Sequence, residues 1–195
     1  MDTFIFNISI KILRSMYNLW LISCDEFDIY TYATSSIIET LFSLISILVI
    51  SIFFKNTSYT IIFLIYFALL RHHLNGYHCD TFSKCYVLSI IAYICISVIC
   101  NKLYFISSIV IFITLLSSIH IFWVGCINDV NISLSSIEIH TSCKCTRVIL
   151  ILELIGILLA SILSCKQLVL YLCLSIILCG LLLCLGQLKN YNKEI

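Results

Sequence analysis

RHHLNGYHCDTFSKC at 71–85 lies between two apolar runs, IIFLIYFALL at 61–70 and YVLSIIAYIC at 86–95. The polar segment holds three histidines, an arginine, an Asn-Gly pair and two cysteines. Polar groups at or near membrane depth are costly to keep there, so a polar segment in this setting indicates a functional site by default. The flanking apolar runs therefore decide the class of fold, and the segment between them is where chemistry is expected.

The composition is that of a membrane protein. Of 195 residues 62% are hydrophobic, the mean hydropathy is +1.12, and there are 11 Lys and Arg and 10 Asp and Glu. Soluble domains, by contrast, are about one quarter charged. Several apolar runs approach or exceed the roughly 18 residues that a membrane-spanning helix needs. We predict an all-α polytopic membrane protein, one domain over residues 1–195, with about six apolar helical segments: 37–54, 58–70, 86–100, 103–124, 147–164 and 167–186.

Residues 1–30 are predicted to form an amphipathic N-terminal region. Apolar side chains recur at helical spacing from Phe4 to Trp20, and Lys11 and Arg14 interrupt them. This pattern suits a helix in the membrane interface with its two cations towards lipid phosphates. An ordinary packing helix is the alternative. Because the cations break the apolar run and no small-residue cleavage site follows, a cleavable signal peptide is not expected.

The Lys and Arg residues orient the chain. With a cytoplasmic N-terminus, that side carries eight of them and the opposite side three, in accord with the positive-inside tendency. The segment 71–85 and the longest polar connection, 125–146, then face the cytoplasm.

Most of the twelve cysteines are expected to be reduced, since many lie in or beside apolar segments, where free Cys is a small hydrophobe. A net charge of +1 without a basic block gives no indication of nucleic-acid binding.

His78 and Cys85 are the candidate catalytic residues, as base and nucleophile. A cysteine attacks as its thiolate and needs a neighbouring base or a lowered pKa. On one unbroken helix, seven residues would separate the two groups by about 10 Å, too far for proton transfer. The Asn-Gly pair marks a turn, however, and Asp80 or Thr81 suits the N-cap of a following helix. The dyad therefore requires a helix break between its members.

Neighbouring polar residues are assigned supporting or substrate-binding roles. Arg71 would hold a carboxylate or stabilise an oxyanion, or would be a snorkelling cation at a helix end. Glu153, if buried, would face a substrate cavity or make a helix–helix hydrogen bond. Asn75 and Asp80 are candidates to orient His78, and Gly76 permits close approach of the backbone. The supporting set is Arg71, Asn75, Gly76, Asp80, Lys84 and Glu153.

A zinc site is an alternative use of the polar segment, since it concentrates histidines and cysteines. Their spacing matches no familiar ligand pattern, and a second Cys or His arm is missing. No metal and no cofactor are therefore predicted for His72, His73, His78, Cys79 and Cys85.

The arrangement Arg71-x4-Gly76-Tyr77-His78-x6-Cys85, between apolar segments of a chain this size, resembles the accessory gene regulator protein B (AgrB) family. Members are bacterial membrane endopeptidases that process the precursor of a cyclic autoinducing peptide. The amphipathic N-terminal region, the six apolar segments and the polar connection between the fourth and fifth extend the resemblance over nearly the whole chain.

Three features depart from the family pattern. Asn75 replaces the first glycine of a common Gly-Gly pair, and Cys79 replaces a small apolar residue. The connection 125–146 is less basic than is typical and lacks a proline. The first change still permits a turn, and the third bears on how an acidic substrate tail is held.

The resemblance implies a membrane-embedded cysteine endopeptidase that acts in quorum sensing. His78 would deprotonate Cys85, which would remove the C-terminal tail of a pro-peptide through an acyl-enzyme thioester and permit cyclisation to a thiolactone or lactone. It further implies an amphipathic, AgrD-like pro-peptide as substrate, a homodimer, and a multi-pass place in the bacterial plasma membrane with the active site towards the cytoplasm. The alternatives are a non-catalytic membrane transporter and a His/Cys metal- or pH-responsive membrane protein.

Overall fold

The computed structural model describes residues 2–18, 27–74, 77, 81–102, 108–126 and 136–194. Helices joined by short connections account for nearly all of these residues, and no strand occurs among them. The all-α fold class is confirmed. The helices are α1 (Asp2–Asn18), α2 (Phe27–Phe53), α3 (Thr57–Leu74), α4 (Phe82–Lys102), α5 (Ser108–Val124), α6 (Ser136–Ile162) and α7 (Lys166–Glu194).

Four of these helices contain a segment long and apolar enough to cross a membrane. α5 is apolar but has 17 residues, and α3 has 18 and ends in a basic turn. Large apolar side chains are exposed on the outer faces, Phe53 to 82% and Trp123 to 79%, as is usual for surfaces that contact lipid. The polytopic membrane architecture is thus confirmed. The four segments are Ile29–Phe53, Phe82–Lys102, Ile137–Ile162 and Lys166–Tyr191.

Two helices begin well before the apolar segments that predicted them. α2 starts at Phe27 rather than 37, and α6 starts at Ser136 rather than 147. Threonine hydroxyls in these polar turns form hydrogen bonds inside their own helix. Thr31 Oγ1 and Thr141 Oγ1 each donate to the backbone carbonyl four residues earlier at 2.8 Å, so these polar side chains are compatible with a helix. The second half of the connection predicted at 125–146 is accordingly helix.

One compact unit consists of residues 1–53 and 79–94, and its described part is α1, α2 and the first half of α4. α1 packs on α2 and buries one face, formed by Ile5, Ser9 and Leu13, which share a side of the helix because they are four residues apart. The Ser9 and Ser35 hydroxyls are hydrogen-bonded at 2.9 Å. The packing alternative for the N-terminal helix is therefore realised, while its place in the membrane interface stays a prediction.

The other unit consists of residues 54–78 and 95–195 and is built around α7. α7 packs against α3, α5 and α6. At Gly180 a Cβ atom would lie 3.0 Å from the Ser117 side chain, so the glycine permits a close approach of α5 and α7. The main apolar core of this unit consists of Leu70, Leu74, Ile121, Leu150, Ile176, Cys179 and Leu183. The single-domain organisation over 1–195 stays a prediction.

A tight turn without glycine or proline joins α6 to α7. Ser164 has a left-handed backbone, with φ of 57°. The Cys165 N–H donates to Ala160 O at 2.9 Å, and the Ser164 N–H donates to Ser161 O at 3.1 Å. These two bonds define a Schellman motif, which usually has glycine at the left-handed position. The turn brings α7 back along α6.

Replacing Ser164 by glycine should stabilise the protein. A non-glycine residue in the left-handed region destabilises the folded state by roughly 1–2 kcal/mol, and glycine removes this strain. Glycine also raises the entropy of the unfolded chain, which offsets about 0.5–1 kcal/mol of that stabilisation. Ser164→Gly should therefore raise the midpoint of thermal unfolding in detergent. Ser161→Gly is the matched control, since that serine lies in the right-handed helix, and it should lower the midpoint. Equal effects of both variants would contradict the account of this turn.

Candidate active site

The helical run is broken between the two predicted catalytic positions. α3 ends at Leu74 and α4 begins at Phe82, and Tyr77 and Thr81 lie outside both helices. Thr81 occupies the N-cap position, since its carbonyl accepts a hydrogen bond of 3.2 Å from the Cys85 N–H. The break that the dyad requires is therefore present.

Cys85 lies in the first turn of α4, and its side chain is half-buried. Backbone N–H groups at the start of a helix point outward, and the positive end of the helix dipole favours a thiolate there. Lys84, immediately before it, is exposed. Cys85 thus combines a helix N-terminus, a half-buried side chain and an adjacent cation in the chain, while its role as nucleophile stays a prediction.

The start of α4 is fixed to α2 by Tyr86, the residue after the thiol. The Tyr86 hydroxyl donates to Ser46 Oγ at 3.0 Å, and its ring centroid lies 5.3 Å from that of Phe42. A second aromatic contact, with Phe82 at 5.9 Å, lies within α4 itself. Because these contacts adjoin Cys85, they hold its backbone in place. Spacing in the sequence gave no indication of the Tyr86–Ser46 bond.

His78, Asn75, Gly76, Cys79 and Asp80 lie outside the described residues. The contact between His78 and Cys85 therefore stays a prediction, as do the supporting roles of the other residues. Tyr77, which precedes His78 directly, is described.

Tyr77 is anchored through both of its backbone groups. Its N–H donates to Leu182 O of α7 at 2.9 Å, and its carbonyl accepts a hydrogen bond from Arg71 Nη2. The Lys189 ammonium lies 5.2 Å from the centroid of the Tyr77 ring, a cation–π contact. The carbonyl belongs to the planar peptide group that joins Tyr77 to His78. The chain is thus held in position immediately before the predicted base.

This geometry gives Arg71 a structural contact that the sequence did not indicate. Its Nη2 donates to a main-chain carbonyl six residues later, and the side chain is half-buried. Lys189 also makes a contact that no spacing in the sequence indicates. Its contact with Tyr77 exists because α7 continues to Glu194, well past the predicted apolar segment that ended at 186.

His72 and His73 form a pair at the end of α3. Their rings are 5.0 Å apart and meet edge to face. Partial burial, followed by the nearby charge of His72, lowers the pKa of His73. In the described part of the chain, no group of three or more His, Cys, Asp or Glu residues has the proximity needed to hold a metal ion.

Glu153 is fully buried in α6. The Ser175 hydroxyl of α7 interacts with its carboxyl group, yet neither carboxyl oxygen has a hydrogen-bond partner of normal geometry among the described residues. A groove of about 420 Å³ lies between α3 and α6, lined in part by Leu152, Gly156 and Tyr66, and Glu153 does not line it. The supporting role of Glu153 stays a prediction.

A thiol and an imidazole lie close together on α5 and α7. Cys184 Sγ and His120 Nε2 are 3.4 Å apart, and the Cys184 side chain is exposed. No pattern in the sequence indicates this contact, because 64 residues separate the two positions. The pair provides a built-in comparison for any assignment of the nucleophile.

The Tyr77 anchor yields a test that does not depend on function. A hydrogen bond from a charged donor contributes roughly 1.5–3 kcal/mol, so Arg71→Gln should speed exchange of the Tyr77 amide about tenfold or more. Hydrogen exchange by mass spectrometry, on a peptide that contains Tyr77, measures this. His72→Gln, next in the chain and exposed, should leave exchange unchanged. If Arg71→Gln also leaves it unchanged, the anchor is not formed in solution.

Comparisons with known proteins place the chain in a family. The family model described as accessory gene regulator B matches residues 5–186. Two curated proteins of Clostridium perfringens whose names call them AgrB-like, from strain 13 / Type A and strain SM101 / Type A, are each 33% identical over 78 residues. The match spans 40% of this chain and 36% of each relative, and no solved structure matches. Because the family model covers nearly the whole length, the chain belongs to the accessory gene regulator B family.

Proposed function

We propose that this protein is a membrane cysteine endopeptidase that removes the C-terminal tail of a quorum-sensing pro-peptide and permits its cyclisation. Cys85 is the nucleophile and His78 the base. The observation that carries the proposal is that α3 ends at Leu74 and α4 begins at Phe82. Cys85 therefore lies in the first turn of α4, while Tyr77, the neighbour of His78 in the chain, is anchored. Membership of the family supports the substrate class.

The reaction proceeds in two acyl transfers. Cys85 transfers its proton to His78, and its thiolate attacks the carbonyl before the precursor's tail. The peptide bond breaks, His78 protonates the leaving amine, and a thioester joins the precursor to Cys85. A Cys or Ser within the precursor then attacks the thioester carbonyl, which closes the ring and returns the thiol to Cys85. Exclusion of water favours ring closure over hydrolysis.

Arg71 and Lys189 position the base rather than touch the substrate. Both contact Tyr77, one at its carbonyl and one at its ring, so they act on His78 through the main chain. Pre-ordering of catalytic groups contributes to the rate because the entropy of alignment is lost before the substrate binds.

The remaining supporting residues complete the proposed site. Asn75 or Asp80 orients His78, and Gly76 permits close approach of the chain. Lys84, exposed beside Cys85 in the chain, binds a carboxylate of the substrate tail. Glu153 supports the site from within the helix bundle. The enzyme works as a homodimer in the bacterial plasma membrane, with its active site towards the cytoplasm.

Loss of the nucleophile or the base should abolish processing. Cys85→Ala and His78→Ala should each lower cleavage of a co-expressed amphipathic precursor by about three orders of magnitude or more. Immunoblotting of a precursor tagged at its C-terminus measures the release of the tail. Cys184→Ala is the matched control, since it removes a thiol that lies 3.4 Å from the His120 imidazole, and this variant should process the precursor normally.

The same experiment separates the competing interpretations. Cleavage that survives in Cys85→Ala contradicts the proposal, and if Cys184→Ala abolishes it instead, the pair on α5 and α7 is the catalytic one. A thioester adduct of precursor and enzyme that hydroxylamine releases, seen with the wild type and lost in Cys85→Ala, would support the covalent route.

Lys189→Met tests the positioning role. A cation–π contact at an exposed site contributes about 0.5–1 kcal/mol, so kcat should fall roughly two- to fivefold with KM unchanged. Initial rates with purified enzyme in proteoliposomes measure both constants. Lys166→Met, at the other end of α7, should leave both unchanged. A rise in KM with constant kcat would show instead that Lys189 binds the substrate.

A further inference from the structure

Two thiols meet where α5 ends and α6 begins, away from the proposed catalytic residues in the sequence. Cys126 Sγ and Cys143 Sγ are 3.2 Å apart, and both side chains are half-buried. The Cys126 N–H donates to Cys143 Sγ at 3.3 Å, and Cys126 Sγ lies 3.5 Å from Ile139 O. Neither thiol has a role in the proposed function.

The backbone is shaped to bring these sulfurs together. Gly125 has φ of 70° and caps α5, since its N–H donates to Ile121 O at 2.9 Å. A Cβ atom at Gly125 would lie 2.8 Å from Cys143 Sγ, closer than real contacts permit. Only glycine therefore suits both the backbone conformation and the neighbouring sulfur at this position.

A separate contact holds α5 to α6 near the thiols. The Arg147 guanidinium lies 5.3 Å from the centroid of the Phe122 ring, and its Nε donates to Phe122 O at 3.4 Å. Arg147 is one helical turn after Cys143, and Phe122 is four residues before Cys126. The approach of the sulfurs is therefore maintained by contacts other than the thiols themselves.

The number of available ligands favours a disulfide over a shared metal ion. A structural zinc site has four ligands, and this pair supplies two sulfurs. The sulfurs, 3.2 Å apart, need to approach by roughly 1.1 Å to form a disulfide bond of about 2.05 Å. In the part of the chain that the structure describes, no third His, Cys, Asp or Glu joins the pair to complete a metal site.

We propose that Cys126 and Cys143 are a reversible oxidation site, which closes to an intramolecular disulfide when the protein meets a small-molecule disulfide. The proposal is independent of the peptidase assignment. In the reducing cytoplasm, where the connection 125–146 is predicted to lie, such pairs rest as thiols and oxidise transiently. The bond would close residues 127–142 into a covalent loop and lock the end of α5 to the second turn of α6.

The chemistry is thiol–disulfide exchange and requires no other reactant. Cys143 thiolate attacks one sulfur of RSSR, and RS⁻ leaves with the electron pair of the broken bond and takes up a proton. Cys126 then loses its proton and attacks the Cys143 sulfur of the mixed disulfide, releasing the second RSH. Two protein thiols are oxidised, and one RSSR is reduced to two RSH.

A backbone contact gives the order of these attacks. The Cys126 N–H donates to Cys143 Sγ at 3.3 Å, and a donor in this position stabilises a thiolate that forms on Cys143. Burial, and then the adjacent Cys143 thiol, raise the pKa of Cys126 to about 11. Cys143 is accordingly the first attacker and Cys126 the resolving thiol.

Oxidised glutathione provides the test, with the full-length protein in membranes. After treatment, alkylation and digestion, mass spectrometry should find the Cys126 and Cys143 peptides joined, with a loss of about 2 Da for the two hydrogens removed. Dithiothreitol should reverse the link. Cys126→Ser should instead retain glutathione on Cys143. Cys145→Ser, which removes a half-buried thiol two residues further along α6, is the matched control and should form the link normally.

Gly125→Ala provides a second variant that keeps both thiols. Its Cβ atom would displace Cys143 Sγ, so the link should form about tenfold more slowly or not at all, a change of at least ~1.4 kcal/mol in the barrier. Wild-type size-exclusion profiles for all variants establish that they are folded. The proposal is overturned if oxidised glutathione leaves both wild-type thiols alkylatable, if it joins Cys143 to another cysteine, or if Cys145→Ser loses the link.

Discussion

The double attachment of the Tyr77 main chain is the constraint on which the candidate site depends. A non-helical connection between membrane helices has backbone donors and acceptors that must find partners, since lipid supplies none. Here the Tyr77 N–H is satisfied by α7 and its carbonyl by Arg71. Ordering such a connection lowers its conformational entropy, and these two contacts stabilise it at Tyr77. Because Tyr77 directly precedes the proposed base, this entropy is already lost on folding, before any substrate binds.

The cysteines show how strongly environment decides the use of one residue type. Cys179 is part of the apolar core around α7, where its thiol is a packing group. Cys126 and Cys143 face each other across the end of α5, and Cys85 lies in the first turn of α4. A buried thiol in an apolar core is inert, and the proposals assign oxidation to the facing pair and nucleophilic attack to Cys85. Composition alone, with twelve cysteines, could not have made this division.

The sequence predicted the class of fold and the helix break, because both follow from local patterns. Apolar runs reveal membrane helices, and Thr81 before an apolar run reveals an N-cap. Helix starts were less well predicted, since hydropathy does not register polar turns such as those after Phe27 and Ser136. The contact of Lys189 with Tyr77 joins positions far apart in the chain. No period or spacing encodes such a contact, so only the packing of helices reveals it.

The Schellman turn at Ser164 has a consequence for biogenesis. Its shortness makes α6 and α7 a helical hairpin, whose two arms leave the ribosome in quick succession. Inserting an acidic residue at the centre of a lone membrane helix costs roughly 2.5–3.5 kcal/mol. An isolated α6 would carry this cost because it contains Glu153. In the folded protein α7 packs on α6 and the Glu153 side chain is fully buried. The short turn therefore makes the helix that follows directly in the chain the neighbour of the helix that carries the carboxyl group.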